Sequence, residues 1–282
     1  MCLIAFAIGV SERLPLVIAA NRDEFLNRPT QPLARWHTPG GQEIISGRDL
    51  IAGGTWLGMT PGGRVAFLTN VREPEPRAAP WSRGMLLTRW FESRSNVEEF
   101  SGLLEHDAHQ YGAFNLVVGD LQEGAWMWLT NRSKEARGCE ARLLAPGIYG
   151  LSNAALDTPW PKTVALKKAL EAALLDPDST HSPSDAWQTT LWAALASRAR
   201  ASLSGLPSTG ISQPREVALS SAFVEMPEHG YGTRSSTVLK AQQTIGAPLN
   251  TTLRIDIKEK THQHPLTDAV PVTTTLTFDL EF

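Results

Sequence analysis

Two cysteines stand in the 282-residue chain, and one of them, Cys2, directly follows Met1. The thiolate is the reactive form of cysteine, and a thiol of pKa about 8.5 is only a few per cent thiolate at pH 7. Removal of Met1 would give Cys2 a free α-amine of pKa about 7.7–8.0, a suitable general base near neutrality. Nucleophile and base would then belong to one residue. Against this stands the apolar opening MCLIAFAIGV, because free cysteines inside apolar strands are usually core residues.

A second polar group follows in LVIAANRDEF, where Asn21, Arg22, Asp23 and Glu24 close an apolar run. Such residues serve equally as a turn with a solvated ion-pair cluster. If the first two apolar runs form a hairpin, however, the end of the second lies beside the start of the first. Asp23 could then hold the Cys2 amine and Arg22 could favour the thiolate. Asn70 closes RVAFLTN and Asn153 closes YGLSN; a carboxamide at such a place can donate to a developing oxyanion or simply make a turn. Arg234 in YGTRSSTV fixes a carboxylate or is an edge-strand cation. Trp56 in GGTWLG is placed near a site, because glycines allow backbone to approach a ligand.

Other chemistries are poorly provided for. His106-x-x-His109 and His262-x-His264 lack matching ligands nearby and fit no zinc signature. No C-x-x-C-H haem attachment and no phosphate-binding loop of the Gly-Lys-Ser/Thr kind occur.

The elements that must position these residues are legible from periodicity. Cys2–Ile8 and Leu14–Ala20 read as a hairpin. Phe25–Thr38, with its prolines, reads as an irregular loop. Glu43–Ser46, Thr55–Met59 and Arg64–Thr69 read as strands between glycine turns. Arg72–Pro80 holds three prolines and suits neither helix nor central strand. Ser82–Ser93 has helical apolar spacing, and Ser95 with Glu98 matches a capping box before a second helix. Strands return at Ala113–Gly119, Gly124–Thr130 and Arg142–Leu151. A helical pair follows, capped at Thr158-Pro159 and at Ser182-Pro183-Ser184-Asp185. Ala222–Glu225, Ser235–Gln242, Thr251–Lys258 and Val272–Leu280 complete the strands; the last alternates in polarity. Strand-rich ends around two helical pairs predict an α+β fold, with antiparallel sheets and segregated helices, in a single domain over residues 1–282.

Composition narrows the function classes. A hydrophobic share of 42%, a charged share of 20% and a net charge of -3 are ordinary globular values. With no long basic run, no nucleic-acid partner is expected. No segment reaches the roughly 18–20 apolar residues of a membrane span. With two cysteines, no disulfide framework is expected, and a reducing, cytoplasmic setting is.

Taken together, MC, ANRDEF (20–25), GGTWLG (53–58), LTN (68–70), FNLVVGD (114–120), GLSN (150–153) with PWPK (159–162), and YGTRSSTV (231–238) resemble the NRDE family, also called the Transport and Golgi organisation family. The same blocks are more distantly similar to choloylglycine hydrolases and penicillin V acylases, which are N-terminal nucleophile hydrolases. That resemblance implies an αββα four-layer sandwich with two antiparallel sheets. It implies Cys2, Asp23, Asn70, Asn153 and Arg234 as catalytic residues, and Asn21, Arg22, Glu24, Thr55, Trp56 and Tyr231 as contacts to a small-molecule ligand or substrate. One departure stands out: those hydrolases carry arginine immediately before the Asn-x-Asp segment, where this chain has Ala20. Arg22 or Arg234 would have to replace it.

Two functions follow. In the first, Cys2 attacks an amide or thioester carbonyl, and no cofactor is required. In the second, the same fold is a non-catalytic carrier, with haem, acyl lipid or coenzyme A as ligands implied by the resemblance. The oligomeric state is open in both.

Overall fold

The computed structural model describes residues 2–75, 78–132, 138–176, 185–244, 252–263 and 270–282. The expected capping residues 182–184 and the expected His264 lie outside these. The chain divides into two compact units. The first comprises Met1–Asn27, Pro146–Ser152 and Leu156–Phe282; the second comprises Arg28–Ala145 and Asn153–Ala155.

The first unit is built on an antiparallel sheet. Its strands are β1 (Cys2–Ile8), β2 (Leu16–Phe25), β10 (Gly147–Leu151), β11 (Glu225–Met226), β12 (Tyr231–Gln243), β13 (Thr252–Thr261) and β14 (Thr273–Glu281). They run in the order β10-β1-β2-β12-β13-β14, with β11 on β12. One face packs on helices α3 (Pro161–Leu175) and α4 (Thr189–Leu195). Leu3, Ala5, Val17 and Ala19 interlock there with Leu166, Leu170, Trp187 and Leu191.

The second unit is a seven-stranded antiparallel meander in sequence order. Its strands are β3 (Thr30–His37), β4 (Glu43–Asp49), β5 (Leu57–Met59), β6 (Arg64–Asn70), β7 (Phe114–Asp120), β8 (Ala125–Thr130) and β9 (Glu140–Leu143). Helices α1 (Gly84–Glu92) and α2 (Val97–Glu105) cover it. Trp90, Phe91 and Phe100 fill that core with Phe114, Leu116 and Val118. The expected α+β fold with two antiparallel sheets is therefore present. Among the described residues, no helix is long and apolar enough to cross a membrane.

Four local expectations are corrected. Asn21–Phe25 is not a turn, because β2 continues through all of it. Here β1 and β12 both offer ladder partners, and that tertiary context outweighs the turn preference of Asn and Asp. Thr30–His37 is a strand, not a loop; it lies at a sheet edge and its register shifts between Gln31 and Ala34, around Pro32, as proline in a sheet requires. Arg142–Leu151 is two strands in different sheets, divided by Pro146, which has no N–H to donate to a ladder. The caps also fall later than expected. Asn96 with Glu99 forms the capping box of α2, and α3 begins with Trp160 as cap and Pro161 in the first turn.

Candidate functional site

In the first unit, the site is made by the ends of three neighbouring strands. The start of β1, the end of β2 and the start of β12 lie side by side because all three are antiparallel neighbours. Register fixes who faces whom: Cys2 opposes Arg22, Leu3 opposes Asn21, and Asn21 opposes Ser236. Directly opposed side chains share a face of the sheet. Cys2, Arg22 and Ser235 therefore project on one side, and Leu3, Asn21 and Ser236 on the side of the helices. The pairing register shifts between Thr233 and Ser235. Arg234 is the extra residue of this bulge, a device that re-aims side chains.

The charges here are buried. Relative exposure is 8% for Cys2, 5% for Arg22, 1% for Asp23 and 5% for Lys162. Burial, with the Asp23 charge adding to it, raises the Cys2 thiol above its ordinary range; the Arg22 guanidinium and the Asp23 backbone N–H act in the opposite direction. With Met1 in place the thiol is therefore held mainly protonated by its surroundings.

Asp23 is also raised by burial, and the largest opposing influence is the Lys162 ammonium, with Thr233 and Arg22 adding to it. The Thr233 hydroxyl donates to Asp23 Oδ1 at 2.6 Å. That same hydroxyl accepts the Val224 N–H at 2.8 Å. Lys162 Nζ donates to the Leu219 carbonyl at 2.9 Å. The motif PWPK contains Lys162, but nothing in its spacing marks the lysine as buried.

Asn21 is a scaffold residue. Its Nδ2 donates to the carbonyls of Leu195 at 2.8 Å and Ala222 at 2.9 Å, and its Oδ1 accepts from Ser236 at 2.6 Å. Ser236 Oγ also meets His262 Nε2 at 2.8 Å. Glu24 lies 3.8 Å from Arg22 and accepts the Phe25 N–H. Tyr231 opposes Phe25 and meets its ring edge-on at 5.4 Å. Burial, followed by the charges of Asp23, Glu24 and Cys2, holds the Tyr231 phenol well above 10. Arg234 donates to the Phe25 carbonyl at 2.9 Å and is lowered by burial and by Arg22. Finally, Ser152 Oγ donates to the Cys2 carbonyl at 3.1 Å.

Asn70 and Asn153 come together in the second unit. Asn153 Nδ2 donates to the Asn70 backbone carbonyl at 3.0 Å and to its Oδ1 at 3.1 Å. The Asn153 carbonyl accepts the Arg72 N–H at 2.8 Å. Asn115, absent from the sequence candidates, braces this region. Its Nδ2 donates to Thr69 Oγ1 and to the Ala154 carbonyl, while its Oδ1 accepts from Trp128 Nε1. The block FNLVVGD contained the signal, a polar residue inside an apolar strand.

The GGTWLG segment has a packing cause. A side chain at Gly54 would collide with the Gly84 backbone at 2.5 Å, and one at Gly47 would meet the Trp56 ring at 2.4 Å. The close approach that these glycines permit is thus to α1 and to an indole of the same unit. Thr55 is buried and donates to the Leu57 carbonyl at 3.4 Å. Among the described residues, no group of three or more His, Cys, Asp or Glu could hold a metal ion.

Comparison with known proteins adds an independent finding. The family model for Transport and Golgi organisation 2 matches residues 1–249. The chain is 33% identical over 250 residues to the Transport and Golgi organization protein 2 homolog of Bos taurus, covering 85% of this chain and 88% of that one. It is 32% identical to the Homo sapiens homolog, with the same two coverages of 85% and 88%. The Drosophila melanogaster protein of that name is 28% identical, over 85% and 87% of the two chains. Among solved structures, the Caenorhabditis elegans ortholog of N-acylethanolamine-hydrolyzing acid amidase is similar at 11% identity, with a TM-score of 0.47 over 84% of this chain and 92% of that one.

Proposed function

The chain belongs to the Transport and Golgi organisation 2 family, and from that premise we propose that it is a cysteine hydrolase of the N-terminal nucleophile type, acting on an amide or thioester bond of a small acyl substrate. The observation that carries this reading is the buried charge cluster at the Cys2 end of β1. Asp23 is 1% exposed and Lys162 and Arg22 are each 5% exposed. Burying charges costs several kcal/mol per ion before pairing repays it. Clusters of perturbed ionisable groups mark functional sites more often than packing alone requires.

The register suggests how such a site would work. Cys2 opposes Arg22, so one step beyond it the backbone nitrogen of Cys2 lies toward Asp23. Once Met1 is removed, that nitrogen becomes an amine which Asp23 can hold. The amine takes the thiol proton, and Sγ attacks the carbonyl carbon. The tetrahedral intermediate collapses, the ammonium returns a proton to the departing amine or thiol, and an acyl-thioester remains on Cys2. Water, deprotonated by the same amine, then releases the acid and restores the thiol. Arg22 favours the thiolate by its charge.

The test begins with intact mass, to establish whether Met1 is removed. An amide or thioester probe should then leave its acyl group on Cys2. Cys2→Ser should stay folded and lose the adduct. If Met1 is absent and no acyl probe modifies Cys2, the hydrolase reading fails.

The second reading is a carrier on the same fold. It is favoured by the raised Cys2 thiol, which makes a poor nucleophile while its nitrogen is an amide. Haem, acyl lipid or coenzyme A would be its ligands. Saturable binding of one of them by Cys2→Ser protein, without turnover by the unaltered chain, would establish it in place of the first.

A further inference from the structure

We propose that His262 is a positioning residue of the Cys2 site: its imidazole donates an Nε2–H to Ser236 and packs on Phe223, and through these two contacts it holds Asn21 and Asp23 to either side of Arg22, the residue that opposes Cys2. This rests on the hydrolase reading only for its purpose. His262 directly follows the end of β13 at Thr261, beyond residues 1–249 that the family model matches.

The hydrogen bonds fix where each proton lies. Asn21 Nδ2 gives both of its hydrogens to carbonyls, of Leu195 at 2.8 Å and of Ala222 at 2.9 Å, and a carbonyl can only accept. The amide oxygen of Asn21 must therefore face Ser236, which spends its one hydroxyl proton on it at 2.6 Å. Ser236 Oγ also lies 2.8 Å from His262 Nε2. With its proton committed, Ser236 can only accept there, so Nε2 carries a hydrogen. Ser236 and His262 stand at the distance of a nucleophile and its base. The serine proton points away from the histidine, however, so the pair is a brace and not a second reactive serine.

The brace reaches both neighbours of Arg22. On one side, His262, Ser236 and Asn21 form a directed chain that ends on Leu195 and Ala222. On the other, the His262 ring meets Phe223 edge-on, with 4.8 Å between centroids. Phe223 lies between Ala222, held by Asn21, and Val224, whose N–H donates to Thr233 Oγ1 at 2.8 Å. Because that hydroxyl accepts from Val224, its own proton goes to Asp23 Oδ1 at 2.6 Å. The His262 backbone N–H donates to the Arg234 carbonyl at 2.9 Å and so fastens the bulge between Thr233 and Ser235. A buried chain of this kind specifies one arrangement, because losing any member leaves its neighbours unpaired.

Two measurements test the assignment. Long-range proton–nitrogen NMR at neutral pH, with the His262 ring identified by its loss in His262→Gln, should find Nε2 protonated. A bare Nε2 would overturn the proposal, because Ser236 would then donate to His262 and desert Asn21. The second is the pH profile of Cys2 alkylation by iodoacetamide. Burial is the largest cause of the raised Cys2 thiol, so loosening the strand ends around it should move the midpoint down, toward the ordinary thiol value, and raise the rate at pH 7 severalfold. His262→Phe, which keeps a ring against Phe223 and loses the donor, should show this change. His262→Gln, which keeps a donor for Ser236, should return the rate to within about twofold of the unaltered chain.

Phe100→Leu, a truncation in the core of the second unit, gives the effect of lost stability alone. A His262→Phe profile that moves no further than that of Phe100→Leu overturns the proposal and leaves His262 as packing. A His262→Gln rate equal to that of His262→Phe overturns it as well. If His262→Phe does not fold, Ser236→Ala breaks the same chain from within and is read in its place against the same control. Neither measurement uses turnover. A chain that never acylates Cys2 but shows the protonated Nε2 and the shifted profile loses the hydrolase reading and keeps His262 as the brace of the site.

Discussion

Two clusters, one in each unit, bury polar side chains in opposite ways. The first buries Arg22 and Asp23 at strand ends beside a thiol, and Lys162 in the first turn of α3. The second buries carboxamides: Asn115 at 0% exposure and Asn153 at 1%, each satisfied by neutral partners. Neutral, well-bonded amides specify a core at little cost and do not respond to pH. Buried charges respond to pH and to the loss of any one partner. Of the two clusters, the first is therefore the one expected to respond to pH.

The two thiols give the largest measurable difference. Cys139 belongs to the second unit, and burial pushes it up to about 12. At pH 8 only about one in 10⁴ such thiols is ionised, so iodoacetamide should label it roughly a thousandfold more slowly than an ordinary free thiol. Cys2 is raised too, but it has Arg22 beside it. After removal of Met1 it gains an ammonium as well. Peptide mapping after timed labelling should find Cys2 modified first, and more slowly when Met1 is retained. Faster labelling of Cys139 would break the contrast at its root.

A smaller effect separates the clusters by stability. Asn115→Ala strands Thr69, the Ala154 carbonyl and the Trp128 indole, at about 1–3 kcal/mol for each buried group left without a partner. The expected total is about 3 kcal/mol or more, flat from pH 5 to 8. Asp23 behaves otherwise. Between the ordinary carboxyl value near 4 and its raised folded value, the folded chain keeps a proton that the unfolded chain has released. Stability should therefore fall as pH rises across that window, and Asp23→Asn should remove the slope. Urea midpoints of the two variants across pH measure both. A pH slope in Asn115→Ala that differs from that of the unaltered chain would undo the distinction.

How much of this was legible in the sequence depends on how local each signal is. The hairpin of β1 and β2 follows from two apolar runs, and with it the pairing that brings Asp23 to Cys2. The family motifs follow from their spacing. By contrast, the turn expected at Asn21–Asp23 rests on local preference, and β12 arrives from more than 200 residues away to make that segment a central strand. Lys162 looks like any lysine at a helix start, since its buried ammonium is bonded to Leu219, distant in the chain. Asn115 shows only as a polar letter in an apolar run. The glycines of GGTWLG signal close approach correctly, but whether to a ligand or to α1 is set by the packed structure.

The smallest effect tests the contrast at its finest scale, between two adjacent residues. Ser152 belongs to the first unit and Asn153 to the second. The side chain of Ser152 donates to the Cys2 carbonyl, whereas that of Asn153 is given to Asn70. Each loss removes interactions worth about 0.5–1.5 kcal/mol net, so Ser152→Ala and Asn153→Ala should destabilise the chain by similar, modest amounts. Their effects on Cys2 should differ. Ser152→Ala frees the carbonyl of the nucleophile's own residue and loosens the start of β1, so the rate at which iodoacetamide reaches Cys2 should rise severalfold. Asn153→Ala releases Asn70 and should leave that alkylation rate within about twofold, because its side chain is bonded to Asn70. If both variants change alkylation equally, the residues act through one shared loosening of the backbone, and the boundary between charge cluster and amide cluster does not run between them.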